Sequence, residues 1–172
     1  MMPNFAATGI YKLISTIFLL FAINLVAGCA LNTPARSGIL SYQGRLSLRI
    51  ASDPPQSMSG GFVISGSAQE GELTLSSPLG NTLAKLSWSA ESAVLVANGT
   101  TSTYTSTNEL METATGTVLP LSALFDWLAG KDTPVTGWEI DLSHMKNEEQ
   151  QRLVAKRTSP LPMTDLRIAI DK

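Results

Sequence analysis

The chain has 172 residues, enough for one ordinary domain and short for two. A composition that is 44% hydrophobic and only 15% charged, with a formal net charge of −2, makes the chain a poor candidate for nucleic-acid binding, which needs a basic surface. The single cysteine has no second thiol in the chain to pair with.

The N-terminal segment stands apart from the fold. Lys12 precedes an apolar run from Leu13 to Ala27, shorter than the ~20 residues that span a bilayer. The run ends in Leu25-Val26-Ala27-Gly28-Cys29. Val-Ala-Gly-Cys looks like a bacterial lipobox, in which small residues suit the lipoprotein signal peptidase and the cysteine thiol takes a diacylglycerol. Residues 1–28 are therefore expected to be a removed signal peptide, and Cys29 the N-acylated, S-diacylglycerol-modified first residue of the mature chain. One acyl chain anchors only reversibly, but at about 0.8 kcal/mol per methylene two or three chains hold firmly. Ala30 stands where many bacteria read Asp as an inner-membrane retention signal, which places the expected anchor on the periplasmic face of the outer membrane. No acidic residue and one basic residue precede Cys29, so the mature part carries 11 Lys and Arg against 14 Asp and Glu.

Residues 29–38 read as a lipidated tether, since Leu31 to Gly38 is polar with a Pro and a Gly. Residues 39–172 read as a single domain. Within it, Arg45 to Ile50 alternates three aliphatics with three polar residues, the period of a half-buried antiparallel strand. Gly60 to Ser65 is a weaker, Gly- and Ser-rich strand. Leu73 and Leu75 alternate with Thr74 and Ser76, and Ala84, Leu86 and Trp88 share a face opposite Leu83 and Lys85. The two strands meet at Ser77-Pro78-Leu79-Gly80, whose residue types fit a type I turn with Leu79 pointing outward at the tip. Ala93 to Ala97 runs into Asn98-Gly99, a strong hairpin signal, with the β-prone TSTYTS after it. Ser106-Thr107-Asn108-Glu109 has capping-box form and Gly116 fits a helix stop. Pro120 opens a second helix with Leu121, Leu124, Phe125 and Leu128 on one stripe, closed by Gly130. That stripe needs an apolar surface, and the inner face of the sheet is the one available. Alternation returns at Trp138 to Ser143 and at Asp165 to Ile170. The fold class is mainly β, antiparallel.

The residues offer no enzyme. His144, the sole histidine, lies in the polar, turn-like Ser-His-Met-Lys-Asn at a strand end. There is no Gly-x-Ser-x-Gly elbow, no phosphate-cradling glycine loop and no metal-ligand spacing. The carboxylates lie on outer faces (Glu139, Asp141, Asp165) or in turns (Glu148, Glu149), where solvation is the default role. Trp88, Trp127 and Trp138 are few and scattered, and suit a core or a cavity wall better than a stacking platform.

The order of motifs resembles the LolB family of outer-membrane receptors in the bacterial lipoprotein-sorting pathway. It runs from the lipobox at Cys29 through Gly44-Arg45-Leu46, Ser77-Pro78-Leu79-Gly80, Leu119-Pro120-Leu121, Leu124-Phe125-Asp126-Trp127-Leu128-Ala129-Gly130 and Gly137-Trp138 to Leu166-Arg167-Ile168-Ala169-Ile170-Asp171. The resemblance implies an unclosed antiparallel β-barrel with helices over its open side and a hydrophobic cavity between. It implies a monomer without cofactor or catalysis that accepts triacylated lipoprotein cargo from the carrier LolA and releases it into outer-membrane lipid. The family's release loop falls on Pro78, Leu79 and Gly80. Leu121, Leu124, Phe125, Leu128, Trp88 and Trp138 are the candidates for cavity wall or helix lid. Two departures are the short segment before the first strand and the Gly60-Gly61-Phe62-Val63-Ile64-Ser65 stretch, where relatives commonly have an aromatic-rich strand. The alternative reading is a lipid-anchored scaffold of another envelope assembly, with its apolar face fully packed.

Overall fold

The computed structural model describes residues 40–147 and 149–171. Cys29, the signal peptide, the tether and Glu148 lie outside these residues. Among the described residues nine strands form one antiparallel sheet: β1 (Ser41–Ile50), β2 (Gln56–Gly66), β3 (Gly71–Ser76), β4 (Thr82–Trp88), β5 (Ala93–Ala97), β6 (Thr100–Tyr104), β7 (Trp138–Asp141), β8 (Gln151–Arg157) and β9 (Thr164–Ile170). Two helices, α1 (Thr107–Thr115) and α2 (Leu121–Leu128), lie between β6 and β7 in the chain.

The spatial order is β6-β5-β4-β3-β2-β1-β9-β8-β7. Every consecutive pair of strands is adjacent except β6 and β7, and β1 pairs with β9 instead, joining the two ends of the chain. Among the described residues β6 and β7 are the sheet's two edges, so the barrel is unclosed. The inner face is a continuous aliphatic surface. Across β2 to β5 the paired residues Ile64, Leu73, Leu86 and Leu95 form one row. Across β1, β9, β8 and β7, Leu48, Leu166, Ala155 and Ile140 form another.

Each strand and helix predicted from periodicity is present, with adjusted bounds. The Gly60–Ser65 stretch belongs to an eleven-residue strand, the longest in the sheet. The alternation after Trp138 stays in the ladder only as far as Asp141. One strand was not anticipated. β8 contains the apolar run Leu153-Val154-Ala155, which lacks clear alternation, yet its inner residues Leu153 and Ala155 are fully buried between β7 and β9.

The helix ends follow local chemistry with one change of partner. Ser106 accepts a hydrogen bond from the Glu109 N–H at 3.2 Å, as a capping box requires. The Glu109 carboxylate reaches one residue further back than that motif predicts, and accepts from the Thr105 N–H and hydroxyl. At the end of α2, the Gly130 N–H donates to Trp127 O and the Lys131 N–H to Asp126 O, the paired bonds of a Schellman motif, with Gly130 at φ +74°.

Candidate functional site

Two features converge on one region: a sparse apolar cavity beneath α2 and a hairpin tip that carries a leucine into solvent. The tip is built by turn chemistry. The Gly80 N–H donates to Ser77 O at 2.9 Å and the Ser77 N–H donates to Asn81 O at 2.8 Å. The Ser77 hydroxyl accepts from the Asn81 N–H. Gly80 sits at φ +88°, where a non-glycine residue is strained. This pattern is the three-residue hairpin loop in which a turn is followed by a left-handed glycine. A register shift between Leu75 and Ser76 in the adjoining ladder accommodates the loop. Leu79 is 90% exposed, the highest among the exposed large hydrophobic residues.

The cavity measures about 30 Å³ and is lined by Leu46, Leu48, Met58, Phe62, Ile64, Leu73, Leu75, Leu166 and Ile168 of the sheet. Thr115, Leu119, Leu124 and Leu128 close it from the helical side. The Thr115 hydroxyl donates within its own segment, to Met111 O or Thr117 O, so the wall offers no free donor there. A space of this size holds a water or two at most, and an apolar wall keeps it dry. It is far too small for an acyl chain with α2 in place.

α2 is more deeply set than its predicted stripe implies. Ala123 and Trp127 are buried together with Leu121, Leu124, Phe125 and Leu128, so the helix is apolar nearly all round. Its second apolar side is covered by the segment that follows it. The Trp127 and Trp138 rings lie 5.8 Å apart, and Met145 packs beside Gly130. The Trp127 indole N–H donates to Thr133 O at 2.9 Å, and Asp126 accepts from the Thr133 hydroxyl and the Lys131 ammonium. Asp126 and Thr133 thus tie down the chain leaving α2. Asp126 was legible only as a letter of the resemblance motif, because its partner lies seven residues away in an irregular loop.

Of the six residues named for cavity or lid, Leu124 and Leu128 line the cavity. Leu121 and Phe125 are buried but do not line it. Trp88 is core and does not line the cavity: its indole N–H is satisfied by Ser67 O, and its ring fills the space where a side chain at Gly71 would stand. Trp138 lies on Trp127, and Trp127 and Trp138 are a pair and not scattered.

The cavity reaches the base of the hairpin, since Leu75, two residues before Ser77, is part of its wall. A groove of about 840 Å³ beside Pro78 and Gly80 runs over the outward-facing Arg45, Ser47, Arg167 and Ala169, on the face of the sheet opposite the cavity. His144 and Asp141 lie along the same groove. The His144 side chain is exposed, as its polar context suggested.

Four carboxylates are held below the usual carboxylate range by hydrogen bonds present only in the fold. The donors are Thr105 for Glu109, Thr133 and then Lys131 for Asp126, Ser143 for Asp141, and Arg167 for Asp165. A pKa lowered by folding contributes stability that is present at neutral pH and lost as pH falls through the carboxylate range. The urea midpoint is therefore expected to drop on acidification, and Asp126→Asn to flatten that dependence. A midpoint unchanged between neutral and acid conditions would contradict the assignment.

Comparison with known proteins agrees with this geometry. Residues 40–171 match the family described as "Outer membrane lipoprotein LolB". A protein from Ralstonia nicotianae named Outer-membrane lipoprotein LolB is 35% identical over 142 residues, covering 76% of this chain and 68% of the relative. Proteins of the same name from Bordetella petrii and Dechloromonas aromatica are 30% and 32% identical, covering 86% and 73% of this chain and 87% and 80% of the relatives. With its open antiparallel barrel, buried α2 and leucine-tipped hairpin, the chain belongs to the LolB family of outer-membrane lipoproteins.

Proposed function

We propose that this protein is an outer-membrane receptor, anchored on the periplasmic face through acylated Cys29, that takes acylated lipoproteins from the carrier LolA and inserts them into the outer membrane. The observation that carries the reading is an apolar interior whose wall reaches, at Leu75, the base of a hairpin with an almost fully exposed leucine at its tip. The names of the relatives support the outer-membrane setting.

The physical need is plain. At about 0.8 kcal/mol per methylene, showing three acyl chains to water costs tens of kcal/mol, so cargo must pass from one apolar container to another. The container described above is the closed form. To accept a chain, α2 and the Leu119 segment must move off the sheet and exchange their own side chains for those of the cargo. Neither edge strand constrains that movement, because the barrel does not close through hydrogen bonds between β6 and β7. Net transfer then requires the cargo to bind the opened receptor better than the carrier, and the bilayer better still.

A soluble form lacking residues 1–29 is expected to take an acylated lipoprotein from its carrier in solution and to co-elute with it. A folded protein that takes no cargo would favour the alternative, an anchored scaffold with a permanently packed core.

A further inference from the structure

Three threonines are buried among the described residues, and two of them use their hydroxyls inside the fold. Thr115 donates to Met111 O at 2.7 Å or to Thr117 O at 2.9 Å, and Thr164 donates to Pro162 O at 3.4 Å. Thr117 differs. It is 2% exposed, and its hydroxyl has no hydrogen-bond partner among the described residues. A polar group left unpaired in the interior is costly, and native interiors ordinarily satisfy theirs.

Thr117 stands in the connector between α1 and α2, directly behind the cavity wall. Thr115, two residues before it, and Leu119, two residues after it, both line the cavity, and the Thr117 carbonyl is an acceptor for the Thr115 hydroxyl. The connector starts in contact with the sheet, where Gly116 fits against Ile50 and Gln56. It ends at Pro120, which brings no side-chain acceptor to the first turn of α2. Unused donors therefore gather on the segment that has to move when α2 leaves the sheet.

The remainder of the wall is hydrocarbon apart from Thr115, whose donor is engaged. Such a wall suits an acyl chain but offers nothing to the carbonyl that joins the chain to a lipoprotein. In an S-diacylglycerol, N-acyl cysteine those carbonyls are esters and an amide, acceptors that arrive without donors. We infer that the Thr117 hydroxyl is the donor for an acyl carbonyl of the bound lipoprotein. As Leu119, Leu124 and Leu128 give way to cargo chains, Thr117 meets the ester or amide at the head of one of them. The empty protein carries the unmade bond and the loaded protein makes it, so the hydroxyl favours loading from both sides of the equilibrium. A valine of the same shape would serve a permanently packed core better. The inference rests on the receptor reading and adds to it the group that recognises how the chains are attached.

The test uses the soluble form lacking residues 1–29, which keeps both helices, the nine described strands and the core they enclose. Displacement of a fluorescent acyl probe is measured with three ligands of one chain length. Dodecanoylglycerol has an ester carbonyl, N-methyldodecanamide an amide carbonyl, and dodecylglycerol ether none. In Thr117→Val the ester or the amide is expected to bind about three- to tenfold more weakly, the size of one neutral hydrogen bond, with the ether unchanged. Weakening of the ester alone assigns the hydroxyl to the diacylglycerol, and of the amide alone to the N-acyl chain. The urea midpoint of the empty variant is expected to equal or exceed that of the wild type, because a methyl replaces a hydroxyl that bonds nothing. Thr115→Val is the comparison: its hydroxyl is bonded, so its midpoint falls while its preference for ester over ether stays. A lowered midpoint in Thr117→Val, unchanged affinity for both carbonyl ligands, or equal weakening of all three overturns the inference and leaves the receptor reading standing. A wild-type protein that binds none of the three overturns both.

Discussion

Leu79→Glu is expected to leave the protein folded and its uptake of cargo intact, and to cut insertion into vesicles by on the order of 10²-fold. The first half follows from burial. With 90% of the residue in solvent, nothing in the fold packs on its side chain, and surface substitutions of this kind usually stay within about 0.5 kcal/mol. The second half follows from where the leucine works. Placing a leucine in lipid is worth roughly 1.5–3 kcal/mol, and a carboxylate at the same depth adds a further penalty of about 1 kcal/mol near the interface. A total near 3 kcal/mol corresponds to about 10²-fold in a transfer equilibrium. Leu79→Ala should fall between, and Leu79→Phe should retain most of the activity. The measurement is transfer of a labelled lipoprotein from receptor to liposomes, with carrier-to-receptor transfer assayed separately. Equal loss in both steps would move the role of the loop from the membrane to cargo capture.

Leu128→Ala is expected to do two opposite things. Leu128 is buried and lines the cavity from α2, so truncation should destabilise the closed fold by about 2–5 kcal/mol. The same change should tighten the binding of a fluorescent acyl probe. A ligand that binds only with α2 displaced has its affinity reduced by the fraction of molecules in that state. Removing about 2 kcal/mol of closed-state packing raises that fraction by roughly tenfold or more. Leu86→Ala is the control, because Leu86 is fully buried in β4 but does not line the cavity. It should lower stability by a similar amount without improving the probe's affinity. Parallel behaviour of the two variants in both assays would mean that α2 is an ordinary part of the core.

Much of this fold was legible one element at a time. The alternation in Arg45–Ile50 and Asp165–Ile170, the Asn98-Gly99 turn and the Ser106 cap are decided by interactions within a few residues, and the structure has them. Asn98 and Gly99 both take positive φ, as the hairpin type demands. β8 escaped notice because Leu153-Val154-Ala155 carries no period of two; what makes it a strand is the pair of strands on either side of it. The depth of α2 was hidden for a related reason. Ala123 and Trp127 fall off the predicted stripe, and they are buried because a later segment folds back over them.

By itself, the sequence determined every element but β8, the direction in which Leu79 points, and, through the order of its motifs, the family. Those depend on side-chain alternation, turn conformation and local hydrogen bonds, all of which act over a few residues. Only the tertiary structure decided how little space remains beneath α2, that Trp127 and Trp138 meet, and that the Ser77-Pro78-Leu79 and Ser159-Pro160-Leu161 tips leave the same end of the sheet. These are set by the pairing of β1 with β9 and by close packing between segments far apart in the chain, which no periodicity along the chain encodes.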